Sequence, residues 1–161
     1  MKKLGIAALA GAVLASGIVL GLMGPAASQA NGKRETITVW ESPPAPQQNV
    51  NANSKSHVGD YQVGHGGLFS DSARKHRVGS EAHVCLNVSQ QGRTRFESLC
   101  HGDFLIAGRG KIVLYGRLVF KRGKKGARLS ITGGTGDFSD ARGSAFVTFA
   151  NASKFTFDIQ H

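Results

Sequence analysis

Ile131-Thr132-Gly133-Gly134-Thr135-Gly136-Asp137-Phe138-Ser139-Asp140-Ala141-Arg142-Gly143 is the stretch on which the reading of the fold turns. Its glycines suggest a phosphate cradle, but a P-loop needs a Lys followed by Ser or Thr after the last glycine. Here Asp137 and Phe138 follow, so negative charge stands where a phosphate would lie. A dinucleotide fingerprint is excluded too, because GxGxxG is absent and no helical segment follows. What remains is a glycine-rich connection between two short apolar segments.

Outward from this loop the texture is the same in both directions: short apolar alternations cut by glycine, with no 3.6-residue period sustained over three turns. Strands are expected at 35–40, 61–69, 78–88, 94–106, 111–120, 128–132, 143–149 and 154–160. In 111–120, Ile112, Leu114, Leu118 and Phe120 share one face, and Val113, Tyr115, Arg117 and Val119 the other. In 154–160, Phe155, Phe157 and Ile159 oppose Lys154, Thr156, Asp158 and Gln160, the period-2 pattern of a sheet with one wet face. Eight such strands suggest an all-β, closed antiparallel barrel of lipocalin-like architecture, since closure removes exposed edges. A barrel of that size holds one small ligand. Between the first two strands, 43–56 is rich in Pro, Asn and Gln and reads as a flexible polar loop.

Cys85 and Cys100 are the only cysteines of the 161-residue chain. A hairpin with Gly92-Arg93 as its two central turn residues pairs 91 with 94 and therefore 85 with 100. Gly at the first central position suits a type II′ turn. Directly opposed residues lie close enough for a disulfide, which stabilises by ~3 kcal/mol for a loop of this length.

The oxidising compartment that such a bond needs agrees with the N-terminus. Met1-Lys2-Lys3, the apolar run 4–23 and Ser28-Gln29-Ala30 follow the order of a signal peptide, with cleavage expected after Ala30. Residues 31–161 then form a single barrel domain, secreted and free of the membrane. The chain carries a net charge of +10, and the mature part near +8 after loss of Lys2 and Lys3. A basic run at 121–128 reads as a solvated hairpin tip or as a docking patch for a polyanion. It has no interleaved aromatic for base stacking, so no nucleic-acid partner is expected.

The letters Gly133-Gly134-Thr135-Gly136, Phe138 and Ala141-Arg142-Gly143 resemble the GGTG-x-[FY]-x-x-ARG signature of the allene oxide cyclase and dirigent protein superfamily. Trp40-Glu41, Val58-Gly59-Asp60, Leu68-Phe69-Ser70-Asp71 and Val78-Gly79 resemble further pieces of that superfamily in the right order, and the Cys85–Cys100 hairpin and the strand 111–117 look like its secreted bacterial, actinobacterial-type members. The resemblance implies an eight-stranded antiparallel barrel with an apolar cavity, trimeric in many plant members. A homo-oligomer, trimer or dimer, is accordingly expected. Plant allene oxide cyclases rearrange an unstable epoxide in that cavity, and dirigent proteins steer radical or quinone-methide coupling without a redox centre of their own. Carried over by position, the resemblance makes Asp137 a general acid or base, Arg142 an oxyanion stabiliser and Glu41 the partner carboxylate. The other reading of Arg142 with Asp137 or Asp140 is an ion pair that pins the loop.

Tyr61, His65 and Tyr115 are expected to reach into the barrel mouth as ligand-binding residues. The six histidines show no HExxH or paired spacing, so neither a metal nor another cofactor is expected. Three functions stay open: a cofactor-independent cyclase or isomerase acting on a small hydrophobic molecule, a non-catalytic secreted binder of either a hydrophobic small molecule or, through its basic hairpin, an anionic envelope component, or an interaction protein with a filled barrel. The content of the barrel separates them.

Overall fold

The computed structural model describes residues 32–42, 57–91, 95–121, 123, 125–148 and 153–161, and the backbone of 48–50. The stretch expected to be a signal peptide, the expected turn residues Gly92 and Arg93, and part of the basic run lie outside the described residues. Among the described residues nine strands form: β1 Arg34–Glu41, β2 Gln48–Val50, β3 Tyr61–Phe69, β4 Arg77–Gln91, β5 Arg95–Ile106, β6 Gly110–Lys121, β7 Gly126–Gly134, β8 Arg142–Thr148 and β9 Lys154–Gln160. A single turn of 3₁₀ helix, Gly136–Phe138, lies between β7 and β8.

All pairings are antiparallel, in the order β1-β9-β8-β7-β6-β5-β4-β3, and β3 returns to β1 through Trp40↔Phe69 and Glu41↔Leu68. Eight strands thus close a barrel, as the alternating pattern predicts. β2 is an addition: three residues within the stretch read as a polar loop pair with Tyr61, Gln62 and Val63 on β3.

Alternation decides what faces inward. On β6, Ile112, Leu114 and Leu118 are buried while Tyr115 and Arg117 are exposed; on β9, Phe155, Phe157 and Ile159 are buried. These side chains meet Val39, Leu68, Phe104, Leu129, Ile131, Ala145 and Val147 in one core. Phe104 packs against Phe155 and Phe157 with ring centroids 4.7 and 5.3 Å apart.

Cys85 and Cys100 are direct partners across β4 and β5, with Cα atoms 4.1 Å apart, and form the disulfide. The route to that register differs from a two-residue turn. Gln91 pairs with Arg95, not with Thr94, so three residues connect the strands. A register shift between Asn87 and Ser89 leaves Val88 as the extra residue of a bulge, which restores the alignment before Cys85 is reached.

The stretch 131–143 closes one barrel end. Phe138 and Ala141 are fully buried there, beneath the β5–β6 turn. Glycine is required by close approach: a Cβ on Gly134 would collide with the Lys111 carbonyl oxygen, and one on Gly136 with that of Arg109.

Candidate functional site

Successive residues of a strand alternate sides, so Glu81, His83 and Cys85 on β4 all point into the barrel. In β4's two neighbours, the partners of His83 are Gly64 and Gly102, and those of Glu81 are Gly66 and Phe104. The glycines leave the room that these polar side chains occupy. A Cβ on Gly64 would sit 2.6 Å from the His83 ring, and one on Gly66 would sit 3.2 Å from Glu81 Oε1 and 3.3 Å from Glu41 Cγ. Glu41 enters the same space from the end of β1. Its backbone N–H donates to the Ser153 carbonyl at 2.9 Å and its carbonyl accepts from Arg74 Nε at 2.8 Å.

Glu41, Glu81 and His83 therefore converge, with one donor atom from each lying within 4.8 Å of the other two. His83 Nδ1 and Glu81 Oε2 are 2.8 Å apart. Glu41 and Glu81 are buried, at 4% and 3% exposure. Burial, followed by the facing charge of Glu81, pushes the Glu41 carboxyl up to about 7. The hydrogen bond that His83 donates to the Glu81 carboxylate, against the opposing effect of burial, raises the imidazole above its usual range.

The corner opens on a cavity of about 150 Å³. Phe104, Leu114, Leu118, Phe120, Leu129, Val147 and Phe155 supply apolar wall, together with the Cys85–Cys100 disulfide; Glu41, His83, His101, Gln62 and Ser153 supply the polar part. An apolar chamber with a few convergent polar groups of shifted pKa is the usual form of a small-molecule site.

The residues singled out from sequence divide. Glu41 is in the cavity wall. Asp137 and Arg142 belong to the closed end, since they follow β7 and open β8, whereas Leu129 and Val147 line the chamber from earlier in β7 and later in β8. Asp137 is exposed and accepts from Arg109 Nε at 3.0 Å; the same guanidinium grips Glu35 through 2.6 and 2.8 Å bonds and stacks over Phe138. Arg142 donates to the Ala141 carbonyl at 2.8 Å. The expected pair of Arg142 with Asp137 or Asp140 is not among the ion pairs of the described residues; Asp137 is paired with Arg109 instead.

Tyr61, His65 and Tyr115 do not reach the cavity. Odd-numbered positions of β3 and β6 face outward, and all three side chains are exposed. HExxH spacing is a helical signal and does not reveal Glu81 and His83, which lie on a strand. The signal that finds them is Glu81-x-His83 on a strand, opposite Gly64-x-Gly66 on the next.

No family model and no curated protein matches the chain. Solved structures do. A pyocyanin demethylase is 19% identical with a TM-score of 0.61, over 79% of this chain and 99% of that one. The exo-specific intermolecular Diels-Alderase AbnU is 16% identical with a TM-score of 0.62, over 81% of this chain and 100% of the other. A pterocarpan synthase dirigent protein is 16% identical with a TM-score of 0.62, over 80% and 88%. At such identities the likeness establishes the fold: the chain has the allene oxide cyclase/dirigent-like barrel.

Proposed function

We propose that the barrel is a vessel for one small, largely apolar molecule, and that it guides a cyclisation, isomerisation or stereoselective coupling of that guest at the Glu41 corner. The observation that carries this reading is the buried Glu41–Glu81–His83 group in the wall of an otherwise apolar chamber. The apolar wall restricts the guest to few conformers, which favours those near the reacting geometry. The corner handles the charge. Glu41, protonated near neutral pH, donates a proton to a carbonyl, epoxide or quinone-methide oxygen, and the Glu81–His83 pair returns it afterwards. The three neighbouring barrels named above, one that removes a methyl group and two that form rings by their names, support a small-molecule role without fixing the guest.

Secretion belongs to the same proposal: cleavage after Ala30 would release the barrel outside the membrane, where the Cys85–Cys100 disulfide persists.

The test starts with the guest. Mass spectrometry of an organic extract of the purified protein should recover an apolar compound of limited size. With that compound or its reactive precursor, Glu41→Gln should lower the rate by ~10²- to 10⁴-fold, while Asp137→Asn leaves products unchanged. Equal loss in the two variants, or none in Glu41→Gln, removes the corner from the chemistry.

A further inference from the structure

The two buried carboxylates face each other, with the His83 imidazole beside them. Glu81 Oε2 is satisfied by His83, but Glu81 Oε1 is buried without any hydrogen-bond partner. That oxygen sits beside Gly66, on the side where Glu41 Cγ also approaches. A desolvated carboxylate oxygen left in this way calls for a cation or a shared proton. The surrounding donors decide which cations suit: two carboxylate oxygens and one imidazole nitrogen are the ligand set of zinc and of divalent manganese, iron or cobalt.

We propose that Glu41, Glu81 and His83 bind one such divalent ion at the cavity wall. The donor atoms already lie within 4.8 Å of one another, so modest side-chain rotation brings them to bonding distance. Gly64, Gly66 and Gly102 hold the pocket open for the ligands. Three protein ligands leave a coordination position, as in catalytic rather than structural zinc sites, and it faces the chamber. The ion would act there as a Lewis acid on a carbonyl or enol oxygen of the guest. That role rests on the guest-binding reading; the site itself does not.

Two other histidine–carboxylate pairs serve as internal controls: His57–Asp60 and His76–Asp71. Each offers only two ligands and a histidine at least half exposed. Protein stripped with a chelator and desalted is titrated with Co²⁺, followed by visible absorption and by native mass spectrometry. One Co²⁺ per chain is expected, with an intense d–d band. Glu81→Gln and His83→Gln should each weaken it by ~10- to 100-fold or more, and His76→Gln and His57→Gln should not. No bound Co²⁺, or binding that survives both cavity substitutions, overturns the site.

Circular dichroism checks the variants. If Glu81→Gln is unfolded, the wild-type melting temperature decides, because an ion bound to the native state raises it with concentration. An unchanged melting temperature then counts against the site. Chelated protein that binds no Co²⁺ yet still alters the products of its guest removes the metal and keeps the vessel. Stoichiometric Co²⁺ with no guest retained does the reverse.

Discussion

Glu35 and Glu41 lie on the same strand and the same face, six residues apart, yet the barrel treats them oppositely. Glu35, at the closed end, is held by the Arg109 fork at 2.6 and 2.8 Å, and that hydrogen bonding keeps its carboxyl below the usual range. Glu41, at the chamber, meets no cationic fork; burial and Glu81 push it up to about 7. One end spends its acid on architecture, locking the 131–143 loop. The other keeps an acid poised for a proton. The difference teaches that position along the barrel axis, rather than residue type, assigns the role.

The contrast can be broken from either end. The largest effect is expected from Phe138→Ala, which empties the plug under Arg109 and should destabilise by ~3–5 kcal/mol in chemical denaturation, while the chamber's guest affinity in the folded fraction stays the same. Gly64→Ala attacks the other end. Its methyl group would lie 2.6 Å from the His83 ring, so a loss of ~1–3 kcal/mol is expected, now with displaced His83 resonances and lost guest binding.

Arg109→Met should cost less, about 1–2 kcal/mol, because Arg109 and Glu35 are partly solvated. It should leave guest binding intact. The smallest effect is in the pH profile of chelated protein. Glu35, depressed in the fold, contributes stability above its unfolded value near 4.5 that is lost as pH falls through the folded value. Glu41 and His83, both raised, contribute stability at low pH that is lost as pH rises, for Glu41 between about 4.5 and 7. Melting temperature against pH should therefore fall on the alkaline side, and Glu41→Gln should flatten that limb alone.

Much of the fold was legible in the chain because strand alternation is a local property. Leu114 and Tyr115, or Phe157 and Asp158, declare their sides without reference to a partner. The disulfide was legible for a less secure reason: the bulge at Val88 and a three-residue connection compensate each other, so a simpler turn led to the same cysteine pairing. The site was only partly legible. Glu41 stood out at a strand end, but its partners come from β4 and are brought to it by barrel closure through Glu41↔Leu68, a contact 27 positions distant in sequence. Asp137 and Arg142 looked catalytic because the conspicuous glycine run draws attention to them, and those glycines serve close backbone packing instead. Tyr61, His65 and Tyr115 were placed by residue type where parity should have placed them outside.

The most direct test is a carboxyl-¹³C NMR titration of chelated protein, with Glu41→Gln and Glu35→Gln used to assign the two resonances. The account predicts that the Glu41 carboxyl titrates near 7 and that of Glu35 below 4.5. Both groups titrating together near 4.5 would contradict it, because the chamber would then hold an ordinary solvated acid and no poised corner.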